Sequence, residues 1–141
     1  MKHVVVGILL LAAGSAFADA RQNCIIGSLK LGFSEKMTEK LCNFTPSQNT
    51  VDCAKDALGL GYSYRDALQA CWQQATESTG KCLVKASTLQ FNPSLSRQLC
   101  AIATTPDRIE CAQGILEAGG RHMFAVKTCH PNYEKTKEMP E

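Results

Sequence analysis

Residues 53–71 read CAKDALGLGYSYRDALQAC, a stretch that starts and ends with cysteine and carries a glycine–aromatic–serine turn at residues 61–63. Ser63 is a preferred N-cap residue, because its side-chain oxygen accepts a hydrogen bond from a free amide of the first helical turn. Asp66 follows three residues later, near the positive end of the helix dipole. The stretch therefore predicts a helix, a tight turn and a second helix that ends near Cys71.

The cysteines show that this unit occurs four times. Their spacings alternate strictly between 18 and 11 residues, at Cys24, Cys42, Cys53, Cys71, Cys82, Cys100, Cys111 and Cys129. The period is thus 29 residues, and periods of about 20–50 residues are typical of solenoids and other repeat arrays. We predict an all-α fold of four tandem 29-residue helical hairpins over residues 21–130, forming a short α-solenoid or a compact helical array.

Alignment of the four units indicates which residues build each hairpin. The turn keeps an aromatic residue and then a capping residue, at Phe33, Tyr62 and Phe91 and at Ser34, Ser63 and Asn92. We interpret these aromatic residues as plug residues, whose side chains fill the apolar space between the two helices at the turn of each hairpin. Helical spacing predicts an inward column of Met37, Leu95 and Phe124, with Leu41, Ala70 and Leu99 four residues further on. The last unit has Gly120 and Arg121 at the turn, as expected of an atypical terminal repeat.

Two disulfide patterns are compatible with these spacings. In an antiparallel hairpin, cysteines 18 residues apart lie at the same level, each about 12 Å from the turn at a rise of about 1.5 Å per residue. This pattern uses all eight cysteines, as Cys24–Cys42, Cys53–Cys71, Cys82–Cys100 and Cys111–Cys129. The other pattern pairs cysteines that are 11 residues apart. It uses six of the eight cysteines and leaves Cys24 and Cys129 unpaired. We prefer the first pattern, in which each closed loop stabilises the chain by about 3 kcal/mol.

The first twenty residues have the pattern of a secretory signal peptide. Lys2 and His3 precede an apolar run, and residues 16–18 and 18–20 both fit an A-x-A cleavage site. The apolar run is shorter than the roughly 20 residues of a membrane span. We therefore predict a signal peptide at residues 1–20, no membrane anchor and a periplasmic or secreted location, where disulfides form. Residues 131–141 are predicted to be a flexible C-terminal tail.

The sequence contains no signature of catalysis or of a cofactor site. No two cysteines are close enough for the usual zinc motifs, and Val126 stands where a haem-attachment motif ending in Cys129-His130 needs another cysteine. We interpret His122 and His130 as solvated side chains, with a metal or acid–base role as the alternative. The net charge of +2 is scattered, which argues against nucleic-acid binding. We predict no enzyme activity, no cofactor and no metal site.

The remaining function classes are types of binding. The first is a helical-repeat binding or scaffold protein that acts through contacts with a protein partner of unknown identity, since solenoids offer extended surfaces. The alternative is a lipid- or membrane-active cysteine-rich helical protein, and a hydrolase is a third possibility. Trp72 stands where the other repeats have Asn43, Ala101 and His130, so the hairpin does not require its bulk. We predict a binding surface at Trp72 with Gln73, Gln74 and Arg65, and the alternative is that Trp72 fills the space between repeats two and three.

Overall fold

The structure is a computed structural model that describes residues 9–44, 46–73 and 75–133, with side chains described from residue 18 onward. Over these residues the chain forms helices and no strands, which confirms the all-α prediction. The helices are α1 (Leu9–Lys30), α2 (Glu35–Leu41), α3 (Gln48–Gly59), α4 (Tyr64–Cys71), α5 (Glu77–Thr88), α6 (Pro93–Cys100), α7 (Pro106–Glu117) and α8 (His122–Cys129). Each odd-numbered helix pairs with the even-numbered helix that follows it.

The disulfides join the two helices of each hairpin. Cysteines 18 residues apart are bonded in all four repeats, and their Cα atoms lie 5.6–5.8 Å apart. These separations fall within the range that an unstrained disulfide needs. The preferred pairing is therefore confirmed. The first three disulfides are buried, whereas Cys111 of the fourth is exposed and Cys129 is half-buried.

Every hairpin turn closes with the same pair of backbone hydrogen bonds. In the first repeat, the Phe33 amide donates to the Ser28 carbonyl (3.2 Å) and the Gly32 amide to the Leu29 carbonyl (3.0 Å), which is a Schellman motif. The motif places one residue in the left-handed region, at Gly32, Gly61, Gln90 and Gly119. Three glycines adopt this conformation freely, and Gln90 adopts it with φ 62°. The plug residues Phe33, Tyr62 and Phe91 are buried, as predicted.

The predicted capping residues begin the second helix of each of the first three hairpins. Ser34, Ser63 and Asn92 accept hydrogen bonds from the amides three residues ahead of them, at 3.4, 3.1 and 2.8 Å. Arg121 occupies the same place before α8 but makes no side-chain cap. Helices α3 and α5 are capped by Ser47 and Thr76, and both begin several residues before their cysteine.

The hairpins stack in chain order. The first helices contact one another as α1–α3–α5–α7 and the second helices as α2–α4–α6–α8, as expected of a short α-solenoid. Small residues let the first helices approach closely. A Cβ atom on Gly27 would lie 2.9 Å from Cγ1 of Val51, and one on Gly80 would collide with the Asp56 carboxylate.

One predicted core column is wrong by a single residue. Met37 and Leu95 are only half-buried and Phe124 is 60% exposed. The buried side chains are one residue later, at Thr38, Ala67, Ser96 and Ala125. Each of these residues precedes the second cysteine of its repeat by four positions. It therefore lies on the same helix face as that cysteine. The disulfide draws the two helices so close there that only small side chains fit. The second predicted column, Leu41, Ala70 and Leu99, is buried as expected.

The two ends of the chain are described only in part. Helix α1 runs through the predicted cleavage sites, and its first buried side chain among those described is Cys24. Cleavage after Ala18 or Ala20 would therefore leave the described core intact. At the other end, the Tyr133 hydroxyl lies 3.7 Å from the sulfur of Met123. Residues 1–8 of the predicted signal peptide and 134–141 of the predicted tail lie outside the described residues. None of the described helices has both the length and the apolar character to cross a membrane.

Candidate binding groove

A groove of about 340 Å³ lies between α2 and α4, the second helices of the first two repeats. Its apolar floor consists of Met37, Phe44, Leu68 and Trp72. Its rim carries three cations, Lys36 and Lys40 on α2 and Arg65 on α4. We call this feature the α2–α4 groove. Its volume falls at the lower end of the range, about 300–1,000 Å³, that is usual for ligand sites.

Phe44 and Trp72 form the aromatic part of the floor. Their ring centroids are 5.1 Å apart at an interplanar angle of 88°, an edge-to-face contact. Trp72 directly follows α4, where its amide donates to the Leu68 carbonyl (2.9 Å), and its side chain is half-buried against the core. Phe44 lies in the loop after the Cys24–Cys42 hairpin and is 56% exposed. The pair therefore leaves aromatic surface available to a partner.

The rim is positively charged. Lys36, Lys40 and Arg65 are exposed, and within the described part of the chain none of them forms a salt bridge. Of the carboxylates that the structure describes, none lines the groove. Asp66, next to Arg65, is bound instead to Arg97 of the following repeat at 2.7 Å. The three cations are thus free to meet an anionic partner.

The structure brings together only part of the predicted binding surface. Trp72 and Arg65 both line the groove, Gln73 is half-buried outside its lining, and Gln74 lies outside the described residues. The sequence interpretation missed Phe44, although the same argument applies to it as to Trp72. The other repeats have Gln73, Ile102 and Pro131 at the position of Phe44, so the hairpin does not require an aromatic residue there.

His122 connects the last two repeats and is not a solvated side chain. Its ring packs edge-on against Phe91, with centroids 4.6 Å apart, and its Nε2 lies 2.9 Å from the Leu89 carbonyl oxygen. Tyr64 makes the equivalent contacts at the junction of the first two repeats, where its ring packs on Phe33 and its hydroxyl donates to a backbone carbonyl of the first repeat. Both side chains therefore hold a second helix against the turn of the preceding hairpin.

His130 is buried, so its interpretation as a solvated side chain is also wrong. Its Nδ1 accepts a hydrogen bond from the Asn132 amide (3.0 Å), which leaves the proton on Nε2 to be donated to the Ala101 carbonyl (3.3 Å). Burial, together with the neighbouring Arg108 cation, lowers the pKa of His130. Both conditions favour the neutral ring.

Arg108 organises the loop before α7. Its guanidinium donates to the backbone carbonyls of Leu99 (3.1 Å), Ala101 (2.7 Å) and Ile102 (3.2 Å). Ile102 has a left-handed backbone conformation, with φ 57°. The Arg108 contacts hold the loop in this strained form, so we assign Arg108 and His130 a structural role. In the part of the chain that the structure describes, no group of three His, Cys, Asp or Glu side chains could hold a metal ion.

A second cavity, of about 310 Å³, lies between α3 and α5. Its lining is mixed in charge, with Asp52, Asp56 and Glu77 beside Lys55 and Lys81. Lys81 and Glu77 already form a salt bridge of 2.7 Å. Its described lining offers no apolar floor, and its three carboxylates are offset only in part by two lysines. The α2–α4 groove combines an apolar floor with charge of one sign and is the stronger candidate site.

Comparisons of this chain with protein families, with curated proteins and with solved structures gave no match. Its function is therefore inferred from its own residues and geometry.

Proposed function

We propose that this chain is an exported, disulfide-stapled repeat protein that binds another protein through the α2–α4 groove. The observation that carries the proposal is the accessible Phe44–Trp72 pair, which occupies positions that the repeat itself does not need. Tryptophan and arginine are enriched among residues that dominate the energy of protein interfaces. Trp72 and Arg65 supply both residue types to one groove.

The scaffold around the groove is cross-linked by disulfides. The disulfides Cys24–Cys42 and Cys53–Cys71 fasten α2 and α4 to the first helices of their hairpins. Helices α2 and α4 also contact each other directly. A site that is already ordered before binding loses less conformational entropy when its partner arrives. This favours a preformed recognition surface.

Export agrees with the state of the cysteines. All eight are paired within the chain, as is usual in the oxidising periplasm or outside the cell. We expect the intact mass of the exported protein to correspond to a chain that begins at Asp19 or Arg21 and lacks eight hydrogens relative to its reduced form. A retained Met1, or a lipid on Cys24, would contradict export as a soluble protein.

Truncation of the aromatic pair tests the groove. We expect Phe44→Ala and Trp72→Ala each to weaken partner binding by about 2 kcal/mol or more, as at interface hot spots. The partner is first captured with the oxidised protein from the exported fraction of the producing organism, and its dissociation constant is then measured with each variant. Val84→Ala is the control, because Val84 is 43% exposed on α5, outside the groove.

Thermal unfolding of the same variants separates binding from stability. Phe44 is 56% exposed, so Phe44→Ala should lower the free energy of unfolding by no more than about 1.5 kcal/mol, the upper value of an aromatic pair such as Phe44–Trp72. Trp72 is half-buried, and a loss of about 3–5 kcal/mol in Trp72→Ala would instead identify it as a core residue. If Phe44→Ala and Val84→Ala bind the partner equally well, the groove is not the binding site.

The alternative function is activity toward lipids, because an apolar floor with a cationic rim also suits anionic amphiphiles. Co-sedimentation with phosphatidylcholine vesicles, with and without phosphatidylglycerol, distinguishes the two functions. The proposed function predicts no binding to either kind of vesicle. Binding that needs phosphatidylglycerol and is lost in Phe44→Ala would favour the lipid function.

A further inference from the structure

We propose that the α2–α4 groove recognises an acidic polypeptide segment that carries a bulky apolar side chain between its carboxylates. This inference rests on the proposed function, since it names the chemistry of the partner of that same site. The apolar side chain would lie on the floor beside Phe44 and Trp72, and the flanking carboxylates would meet the cations of the rim.

The charges of the groove point to an anionic partner. Lys36, Lys40 and Arg65 line it, and no acidic side chain among the described residues does. The described acidic residue nearest in sequence to Arg65 is Asp66, which binds Arg97. Glu35 and Glu39 also lie on α2, each next to one of the two lysines in sequence, but neither lines the groove, so the excess of positive charge is confined to its lining. A cationic patch of this kind suppresses binding of cationic segments and favours anionic ones.

The positions of the cations favour several separated carboxylates over a single anionic head group. Lys36 and Lys40 are four residues apart on α2, about 6 Å along the helix axis. Arg65 lies on the opposite wall, on α4. A lone head group would be bound best by cations that converge on one point. Cations spread along both walls fit a chain that carries anions at intervals.

The floor sets the size of the apolar anchor. The groove volume of about 340 Å³ accommodates a few side chains, and its apolar part is made of Met37, Leu68 and the aromatic pair. Methionine adapts its shape to its contacts. A leucine or phenylalanine of the partner would therefore find an apolar, partly aromatic surface. Arg65 can in addition bind a carboxylate in a bidentate manner, which fixes the direction of the segment.

The test uses the fluorescence of Trp72, the single tryptophan of the chain. Three tryptophan-free synthetic peptides are titrated into the oxidised mature protein at low ionic strength: acetyl-EDLEFDE-amide, its uncharged counterpart acetyl-QNLQFNQ-amide and its anchorless counterpart acetyl-EDAEADE-amide. The first peptide should change the Trp72 emission saturably and bind at least about tenfold more tightly than either of the others. Its advantage over the uncharged peptide should disappear near 1 M salt, where the Debye length is about 3 Å.

Charge-neutral variants locate the interaction. Lys40→Gln and Arg65→Gln should each weaken binding of the acidic peptide about threefold, as expected for exposed ion pairs, and leave the uncharged peptide unaffected. Lys85→Gln is the matched control, because Lys85 is exposed on α5 and does not line the groove. An equal effect of Lys85→Gln would overturn the proposal, since it would indicate nonspecific attraction.

The possible failures are distinguishable. If the uncharged peptide binds as tightly as the acidic one and Phe44→Ala abolishes both, the groove is a binding site but does not select acidic segments. If no peptide changes the Trp72 emission, the acidic-segment proposal is wrong, while Phe44-dependent capture of a partner would still support the proposed function. If vesicles containing phosphatidylglycerol bind the protein, this binding is lost in Phe44→Ala and no peptide binds, the ligand is a lipid and both proposals fail.

Discussion

Replacement of both Cys82 and Cys100 by alanine is expected to lower the free energy of unfolding by about 3–5 kcal/mol. Their disulfide closes an 18-residue loop, and both residues are buried. Its removal frees the unfolded chain and also leaves a cavity where the sulfur atoms were packed. Urea unfolding of the wild type and of the double variant, followed by circular dichroism, measures the difference.

The disulfide of the last repeat provides a matched control. Cys111 and Cys129 close a loop of the same length, so the entropic part of the stabilisation, about 3 kcal/mol, is the same. Cys111 is exposed and Cys129 only half-buried, so little packing is lost with them. We expect the Cys111→Ala/Cys129→Ala variant to lose less stability than the Cys82→Ala/Cys100→Ala variant. The opposite order would contradict the burial described for these two hairpins.

Leu83→Ala is expected to destabilise the protein by about 2–5 kcal/mol. Leu83 lies on α5 in the third hairpin, where its side chain is 0% exposed. Truncation there removes a large apolar side chain from the centre of the stack. The free energy of unfolding from urea titration and the midpoint of thermal unfolding both measure the loss.

Val84→Ala is the control for this substitution as well, because Val84 is the next residue of α5 and points outward. Its effect on the free energy of unfolding should stay within about 0.5 kcal/mol. Similar losses at positions 83 and 84 would mean that α5 does not present the face described here to the core.

The hairpin could be predicted from the sequence because its determinants are local. The alternation of 18 and 11 residues set the period, and Ser34, Ser63 and Asn92 marked the start of the second helix in the first three repeats. The equal distance of the paired cysteines from the turn favoured the correct disulfides, since that distance depends only on helical rise. These features need no knowledge of how one hairpin meets the next.

The core column was misassigned because side-chain size was taken as a sign of burial. Met37, Leu95 and Phe124 are the larger residues, but the disulfide one turn away leaves room only for small ones. Thr38 and Ser96 are buried there although both are polar. Sequence periodicity shows which residues share a helix face, but it does not show how closely two helices pack.

The groove was only half predicted because it forms between repeats. Trp72 and Arg65 were found from their departure from the repeat, but the opposite wall comes from α2 of the preceding hairpin. Phe44 and Trp72 are 28 residues apart in sequence, almost one full repeat, and only the stacking of the hairpins brings their ring centroids to 5.1 Å. His122 and His130 were misjudged for the same reason, since their contacts are with Leu89 and Ala101 of the preceding repeat.

Hydroxyl-radical footprinting of the mature protein, alone and bound to its captured partner, tests most directly the claim that the partner binds in the α2–α4 groove. Met37, Phe44 and Trp72 form its floor, and their side chains are oxidised readily when solvent reaches them. Met123 and Phe124, on the exposed surface of α8, serve as internal controls. The account predicts that the partner protects the three floor residues and leaves the two controls unchanged. Unchanged oxidation of the floor, or protection of Met123 and Phe124 instead, would contradict it.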